Sequence, residues 1–421
     1  MIVSGAIQGV KQEPIPSKLD PVPDPSGSAF AGRVQTKSKQ MVSPELSKTV
    51  AVVYRCSNGI SDDIANMDFG QFLRVQDGAQ KIEPDAATRN MAYLLEVAPN
   101  RYMTPFILKK TVITWLQFWG NALIWLPPPP APRELFILPA NRTWPKLAPN
   151  GDLWYEVQFP SGERRYMPSV EIMHLMINST NGIWGKSILE YARETIGNRM
   201  GMSVTQSSLL GNGLTPAAYV MINGTLDKQG RERYRDAYSE IIMGAENAGN
   251  LAVFDNKVTK FEPITMKLTD AQFLDTVEFT DGDIANFFKY PEYKLNMGKQ
   301  SYESNVQQDM DYLKSTIDPY IVQWEQMARL RWLTEEEQGK TYFYFDRKSL
   351  LRMDAKTRAE IDEIRIRSGT RRPNEARADE NENSYPEGNQ FWMLSQNVPV
   401  SAAINPPAAP THPPAPVGGS S

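Results

Sequence analysis

The chain predicts an α+β fold carrying an inserted βαββ module, and three observations predict it. Short β runs with turn residues between them fill 121–177, after a helical start. A strand–helix–strand–strand pattern of about 55 residues lies between two long helical patterns, 186–210 and 269–289. The stretch 268–333 reads as helix, short basic loop, then a long helix with a proline inside it.

The elements follow in order. Residues 1–42 are rich in Pro, Gly, Ser and Lys without periodicity and read as a flexible arm. Ser43-Pro44 starts the first helix, serine as cap and proline at the first position, with the stripe Leu46, Val50, Val53, Ile60, Ile64, Met67. A second helix is expected over 87–97. A third runs from Thr104-Pro105 to Gly120 and buries Phe106, Ile113, Leu116 and Trp119. Strands are expected at 122–126, 135–138, 153–159, 164–167 and 172–177, punctuated by prolines 127–130 and the turn Pro149-Asn150-Gly151-Asp152. Helix 186–210 closes on Gly211-Asn212-Gly213. The module then comprises strand 217–222, helix 228–243 and strands 250–254 and 257–263. Thr269-Asp270-Ala271-Gln272 has the capping-box form and opens a helix that stops near Tyr290, because Pro291 disfavours helical geometry before it. Gly282 weakens that helix. Ser301 caps the next helix, with Val306, Met310, Leu313, Ile317, Ile321 and Trp324 on one face and a bend at Pro319. The run Thr341-Tyr342-Phe343-Tyr344-Phe345 is a strand returning to the first domain. Asp354 caps a charged helix ending at Gly369, 373–382 forms another, and the Pro-rich segment from 395 is expected to be disordered.

Composition excludes several classes of function. A chain of 421 residues exceeds what one core supports and implies more than one compact unit. One cysteine, Cys56, rules out an internal disulfide framework, and two histidines leave little for a metal site. No signal peptide is visible, and the most apolar stretch, 111–126, is too short for a membrane span and contains Gln117, Gly120 and Asn121, so it reads as buried core. A soluble intracellular protein is expected. A net charge of -4 argues against a protein that coats nucleic acid and leaves open one that lets nucleic acid slide past without gripping it.

Catalytic signals are weak. Asn181-Gly182-Ile183-Trp184-Gly185-Lys186-Ser187 resembles a phosphate-binding loop, and Leu251-Ala252-Val253-Phe254-Asp255 an accompanying acidic strand, but Thr180 stands where the loop needs its first glycine. A glycine turn feeding a helix is the expected reading. His174 reads as a core histidine, Glu335-Glu336-Glu337 as a solvated turn, and Trp324 and Trp332 as core. No nucleophile–base pair or carboxylate pair stands out, so no enzyme, catalytic residue, cofactor or metal is expected. The basic loop 290–300, preceded by Lys289, is an ordinary solvated connection in a monomer. In a cyclic oligomer the same lysines would repeat around an axis as a mobile positive collar.

Several phrases resemble the portal proteins of tailed double-stranded-DNA bacteriophages, of siphovirus type. They are Leu138-Pro139-Ala140-Asn141-Arg142, Gly185-Lys186-Ser187-Ile188-Leu189, Asp283-Ile284-Ala285-Asn286-Phe287-Phe288, Pro319-Tyr320 with Trp324-Glu325, Leu350-Leu351-Arg352-Met353-Asp354 and Asn374-Glu375-Ala376-Arg377. The resemblance covers about 44–387. It implies a ring, usually of twelve subunits, at one capsid vertex, through which double-stranded DNA is packaged and ejected without sequence reading.

It maps 43–178 onto the wing, 179–210 and 266–289 onto the stem, 211–265 onto the clip and 354–394 onto the crown. Residues 301–353 become the kinked wing helix with its return strand; 1–42 remains the arm and 395–421 the tail. The tunnel loop would be 290–300, with Lys289, Tyr290, Tyr293, Lys294, Leu295, Asn296, Met297, Gly298, Lys299 and Gln300 at the DNA channel and Pro319 as the kink that aims it. Lys228, Arg231 and Arg235 would lie on the docking face of the clip. Implied partners are further copies of the chain, DNA, the terminase large subunit, the major capsid protein and a head–tail adaptor, with no membrane. The implied location is the virion, and the host cytoplasm during assembly. The alternatives are a P-loop motor subunit, which would hydrolyse nucleotide, and a non-channel head–tail scaffold, which would form no axial ring.

Overall fold

The computed structural model describes residues 15–22, 34–75, 78–129, 133–211, 218–222, 227–229, 232–233, 258–263, 270–296, 305–347, 355–379 and 382–392. The chain divides into two compact units, Met1–Leu351 and Arg352–Ser421. The first unit starts with α1 (Pro44–Ser47) and α2 (Ala51–Asn66). Ser43 caps as expected, its Oγ accepting from the Leu46 amide at 3.1 Å. The expected single helix is broken, however. The Thr49 hydroxyl takes the Leu46 carbonyl at 2.7 Å, Val50 turns extended, and Leu46 is left exposed. From Val53 onward the predicted stripe holds, with Val53, Ile60, Ile64 and Met67 fully buried, and Cys56 is buried with them.

Expected helix 87–97 shortens to α3 (Met91–Glu96), because Asn90 caps it by accepting from Tyr93 N. α4 (Pro105–Trp119) has Thr104 as cap and ends at Gly120, whose φ of 74° is the left-handed C-cap that favours glycine. It packs Leu108, Val112, Ile113 and Leu116 against α2. Phe106 and Trp119 are only half-buried.

The strands predicted within 121–177 all form, shifted by one residue at most. Asn121–Trp125 is central in an antiparallel sheet between Ile172–Met176 and Phe136–Leu138. Leu153–Gln158 lies between Arg164–Pro168 and Thr143–Leu147 in a second sheet, with Asp20–Pro21 at its edge. Thr143–Leu147 escapes sequence reading because Pro145 interrupts it. The strand tolerates proline because its outer neighbour is only two residues long. The inner faces share Leu123, Trp125, Phe136, Tyr155, Val157 and Ile172 in one core. Thr341–Phe345 returns as predicted, pairing antiparallel with Phe69–Val75, a strand the sequence reading missed along with Gly78–Lys81. Phe69 and Phe345 stack at 4.1 Å, with Trp324 edge-on to both. Segment 111–126 is divided between α4 and the central strand. Among the described residues no helix is long and apolar enough to cross a membrane.

The long helices are α5 (Ile188–Gly211) and α6 (Asp270–Phe288), packed side by side and joined by a salt bridge from Arg199 Nε to Asp281 Oδ1 at 2.7 Å. Of the inserted module, Ala218–Ile222 pairs antiparallel with Val258–Pro263. Most of helix 228–243, all of strand 250–254, and the expected caps at Gly213, Thr269, Ser301 and Asp354 lie outside the described residues.

The expected kinked helix is three pieces: α7 (Asn305–Tyr312), a π-helical turn Leu313–Ile317, and α8 (Asp318–Trp332). Trp324 and Trp332 are core, as expected. The Glu335-Glu336-Glu337 turn is a short capped helix, α9 (Glu335–Gln338), with exposed glutamates. The second unit contains α10 (Ala355–Arg367), with left-handed Gly369 just beyond its end, and α11 (Pro373–Asp379), whose Asn374 bonds the Tyr385 carbonyl.

Candidate functional site

The site is the root of the basic loop, where α6 ends. Ile284, Ala285 and Phe288 bury the last turn of α6 in the core. Lys289 then turns left-handed (φ 53°) and the Tyr290 amide reaches back to the Ala285 carbonyl at 2.9 Å, a helix-terminating pattern. Pro291 is extended, Glu292–Leu295 makes one tight turn, and Asn296, also left-handed (φ 59°), closes it.

Several contacts brace this turn against α2 and α7. The Tyr290 ring lies on Gly59, where any Cβ would collide with it, and meets Tyr312 edge-on at 5.8 Å. The Tyr312 hydroxyl donates to Asp63 Oδ2 at 2.9 Å, and Lys294 Nζ reaches the same oxygen at 3.1 Å while sitting 4.2 Å over the Tyr312 ring. Arg55 donates to the carbonyls of Leu295 and Lys294 at 3.0 and 3.2 Å. The Tyr293 hydroxyl donates to Asp309, and Thr316 Oγ1, within the π turn, donates to the Lys289 carbonyl at 2.5 Å. Burial and then Asp63 push Tyr290 up to about 12 and hold Tyr312 well above the usual phenol range. Burial and then the Asp309 bond do the same for Tyr293, so all three phenols stay neutral and Tyr293 and Tyr312 keep their donor protons. A cleft of about 600 Å³ opens beside this root, lined by Asn286, Lys289, Glu292, Gln308 and Asp311 among others.

The structure therefore divides the expected loop residues. Lys289 and Asn296 are exposed, Tyr290 and Leu295 are buried, and Tyr293 is half-buried. Lys294 is not the free, mobile charge the sequence suggests, since Asp63 and Tyr312 hold its ammonium within the chain. Met297, Gly298, Lys299 and Gln300 lie outside the described residues, as do Arg231 and Arg235, while Lys228 is exposed. Pro319 falls in the first turn of α8, and the irregular turn lies ahead of it, where the Asp318 amide reaches five residues back to the Leu313 carbonyl. Arg55, Asp63, Asp309, Tyr312 and Thr316 were missed. Asp63 and Lys294 are 231 positions apart, and no local pattern marks such a pair.

The phosphate-loop resemblance resolves as the expected glycine turn. Amides of Gly182, Ile183, Trp184, Gly185 and Lys186 all donate to oxygens of Ser179, Asn181, Asn121 or Ile177, so the loop offers no open nest to a phosphate. Lys186 faces Glu190 at 3.7 Å. His174 is a core residue, bonded to the Tyr155 hydroxyl at 2.9 Å and Asn121 Oδ1 at 3.0 Å. Burial, and then nearby Arg331, push it down to about 3.

The fold matches a chain in the neck of an empty gene transfer agent particle (TM-score 0.55, 18% identity, covering 91% of this chain and 99% of that one). It also matches a phage portal protein of the HK97 family from Corynebacterium diphtheriae (TM-score 0.53, 14% identity, 77% and 99% covered). The family model for phage portal proteins matches residues 51–381, and the chain belongs to that family of structural phage components. The portal protein of Enterobacteria phage HK97 is 26% identical over 84% of this chain and 83% of its own length. A probable portal protein of Streptomyces phage phiC31 is 27% identical over 48% and 45%.

Proposed function

We propose that the chain assembles as a ring at one vertex of a phage capsid and forms the channel through which double-stranded DNA enters and leaves. Twelve copies are favoured, and the C12 symmetry of a gene transfer agent neck with a related fold supports that number. The observation that carries the reading is the braced loop root: side chains of α2, α7 and the π turn hold 289–296 in place, which suits a loop projecting toward passing DNA. Lys289, Lys299 and the residues around them would touch phosphates without reading bases, because a lysine ammonium is a point charge with no base-specific geometry. The wing, stem, clip and crown divisions, the docking of terminase and a head–tail adaptor on the clip, and contact with the major capsid protein belong to this reading. So does residence in the virion after assembly in the host cytoplasm.

The protein is proposed to be no enzyme, the packaging motor being a separate partner. The satisfied amides of 182–186 support this. Electron microscopy of the purified full chain tests the reading: axial rings with 289–300 at the bore are expected, and a loop on the outer rim would overturn it. ATP hydrolysis abolished by Lys186→Ala would instead favour a motor subunit.

A further inference from the structure

α6 has an outward face that the fold leaves uncovered. Asp275, Phe279, Asp283 and Phe287 follow one another at four-residue spacing, so they form one stripe along the helix. Phe279 is 71% exposed and Phe287 41%, high values for phenylalanines on an ordered helix. Among the described residues Asp275, Glu278 and Asp283 have no salt bridge. Asp281, between Phe279 and Asp283, points the opposite way to Arg199 of α5. Two residues either side of Asp281 is about half a turn round the helix, so the stripe faces away from α5.

The far side of α5 carries the opposite charge. Gly197 and Gly201 lie about half a turn from Arg199, and the hairpin Val34–Gln35 with Met41–Val42 covers them. A Cβ on Gly197 would collide with Thr36, and Gly201 lies under Ser38 and Gln40. The Lys37 amide also donates to Glu194 of α5 at 3.1 Å. Alternation along the hairpin turns Thr36 and Val42 inward and leaves Gln35, Lys37, Lys39 and Met41 exposed. Among the described residues the Lys37 and Lys39 ammonium groups have no carboxylate partner. α6, α5 and the hairpin thus form three layers, with an acidic, phenylalanine-bearing face on one outer side and a basic face with an exposed methionine on the other.

We infer that these two faces are the head and tail of one contact between copies: the Asp275–Phe279–Asp283–Phe287 stripe seats on the Lys37, Lys39 and Met41 face of a second copy of this chain. Complementary faces on opposite sides of a protomer make a heterologous contact, which propagates from copy to copy until it closes as a ring. Carboxylates meet ammonium groups, and the phenylalanines lose water against the methionine and the lysine stems. The inference rests on the ring reading above and adds to it the surfaces that would build the ring.

The test uses the full chain in three forms: wild type, D275K/D283K and K37E/K39E, with native mass spectrometry at one protein concentration and circular dichroism to confirm folding. Each double variant alone sets like charges against each other, and its ring fraction should fall by about tenfold or more. Mixed together, the two variants present complementary faces at every contact, so rings in which they alternate should return. If either variant assembles like the wild type, or the folded variants do not co-assemble, these surfaces are not the contact although the ring reading stands. A wild-type chain that stays monomeric overturns the ring reading itself. Phe279→Lys, a single change at an exposed position, replaces any double variant that fails to fold and should cause the same loss.

Discussion

Lys289 and Lys294 lie in one short basic stretch, yet the structure gives them different work. Lys294 sits between the Asp63 carboxylate and the Tyr312 ring, with both ionic partners less than a third exposed, so its removal leaves Asp63 short of a partner. Lys294→Ala should therefore cost about 1 kcal/mol or more in denaturant unfolding. Lys289 is exposed, and Lys289→Ala should stay within about 0.5 kcal/mol of wild type while changing the rate of DNA packaging. Equal stability losses in the two variants would contradict this division. His174 makes a second residue-scale prediction. Its folded pKa lies near 3 against an ordinary 6.5, so below about pH 6.5 the unfolded chain takes up a proton that the folded chain refuses. Stability should fall as pH drops through that window, by up to about 1.4 kcal/mol per pH unit from this group, and the His174→Gln variant should lack that component. Denaturant unfolding of both proteins between pH 4 and 7 reads the difference. Sequence marked His174 as core because it lies in an apolar run. Nothing local to Lys294 could identify Asp63 as its partner.

Among the elements, the long interrupted helix departs most from what its sequence suggests. A proline in a helix interior costs about 3 kcal/mol, which would make Pro319 a bend kept against stability. In the structure it occupies the first turn of α8, where a missing amide costs little, and the π turn Leu313–Ile317 precedes it. Tyr312 and Thr316 hold that turn by bonding Asp63 and the Lys289 carbonyl. Pro319→Ala should accordingly leave stability within about 1 kcal/mol of wild type and leave rings intact. It should impair packaging, because the restored amide gives the π turn an α-helical alternative that would swing Tyr312 off Asp63. Unchanged packaging in the variant would mean that the contacts of Tyr312 and Thr316 alone set the turn. The break between α1 and α2 teaches the same lesson in reverse. The hydrophobic stripe was legible, but a single threonine hydroxyl competing for one carbonyl ended the helix early.

At the scale of the whole molecule, the brace and the proposed contact faces use different residues. Asp63, Lys294 and Tyr312 tie the loop root to α2, whereas Asp283 and Phe279 lie on the open face of α6. Asp63→Ala should thus destabilise the subunit by about 1–3 kcal/mol and alter DNA passage while rings still form, as electron microscopy and a packaging assay would show. Loss of rings in a folded Asp63→Ala chain would mean that loop placement and assembly are coupled. By itself the sequence determined most of the described helices, the strands within 121–177 other than Thr143–Leu147, the strand character of Thr341–Phe345, the core roles of Trp324 and His174, and the glycine turn at 182–186. Those features depend on periodicity, caps and motif spacing within some twenty residues, where sequence distance and spatial distance still agree. Only the tertiary structure decided that Lys294 is held, that the helix breaks ahead of Pro319, and that oppositely charged faces lie on opposite sides of α5. Each depends on which distant side chain arrives beside a given atom, and a hydrogen bond or salt bridge forms only within about 3–4 Å, a separation that packing alone sets.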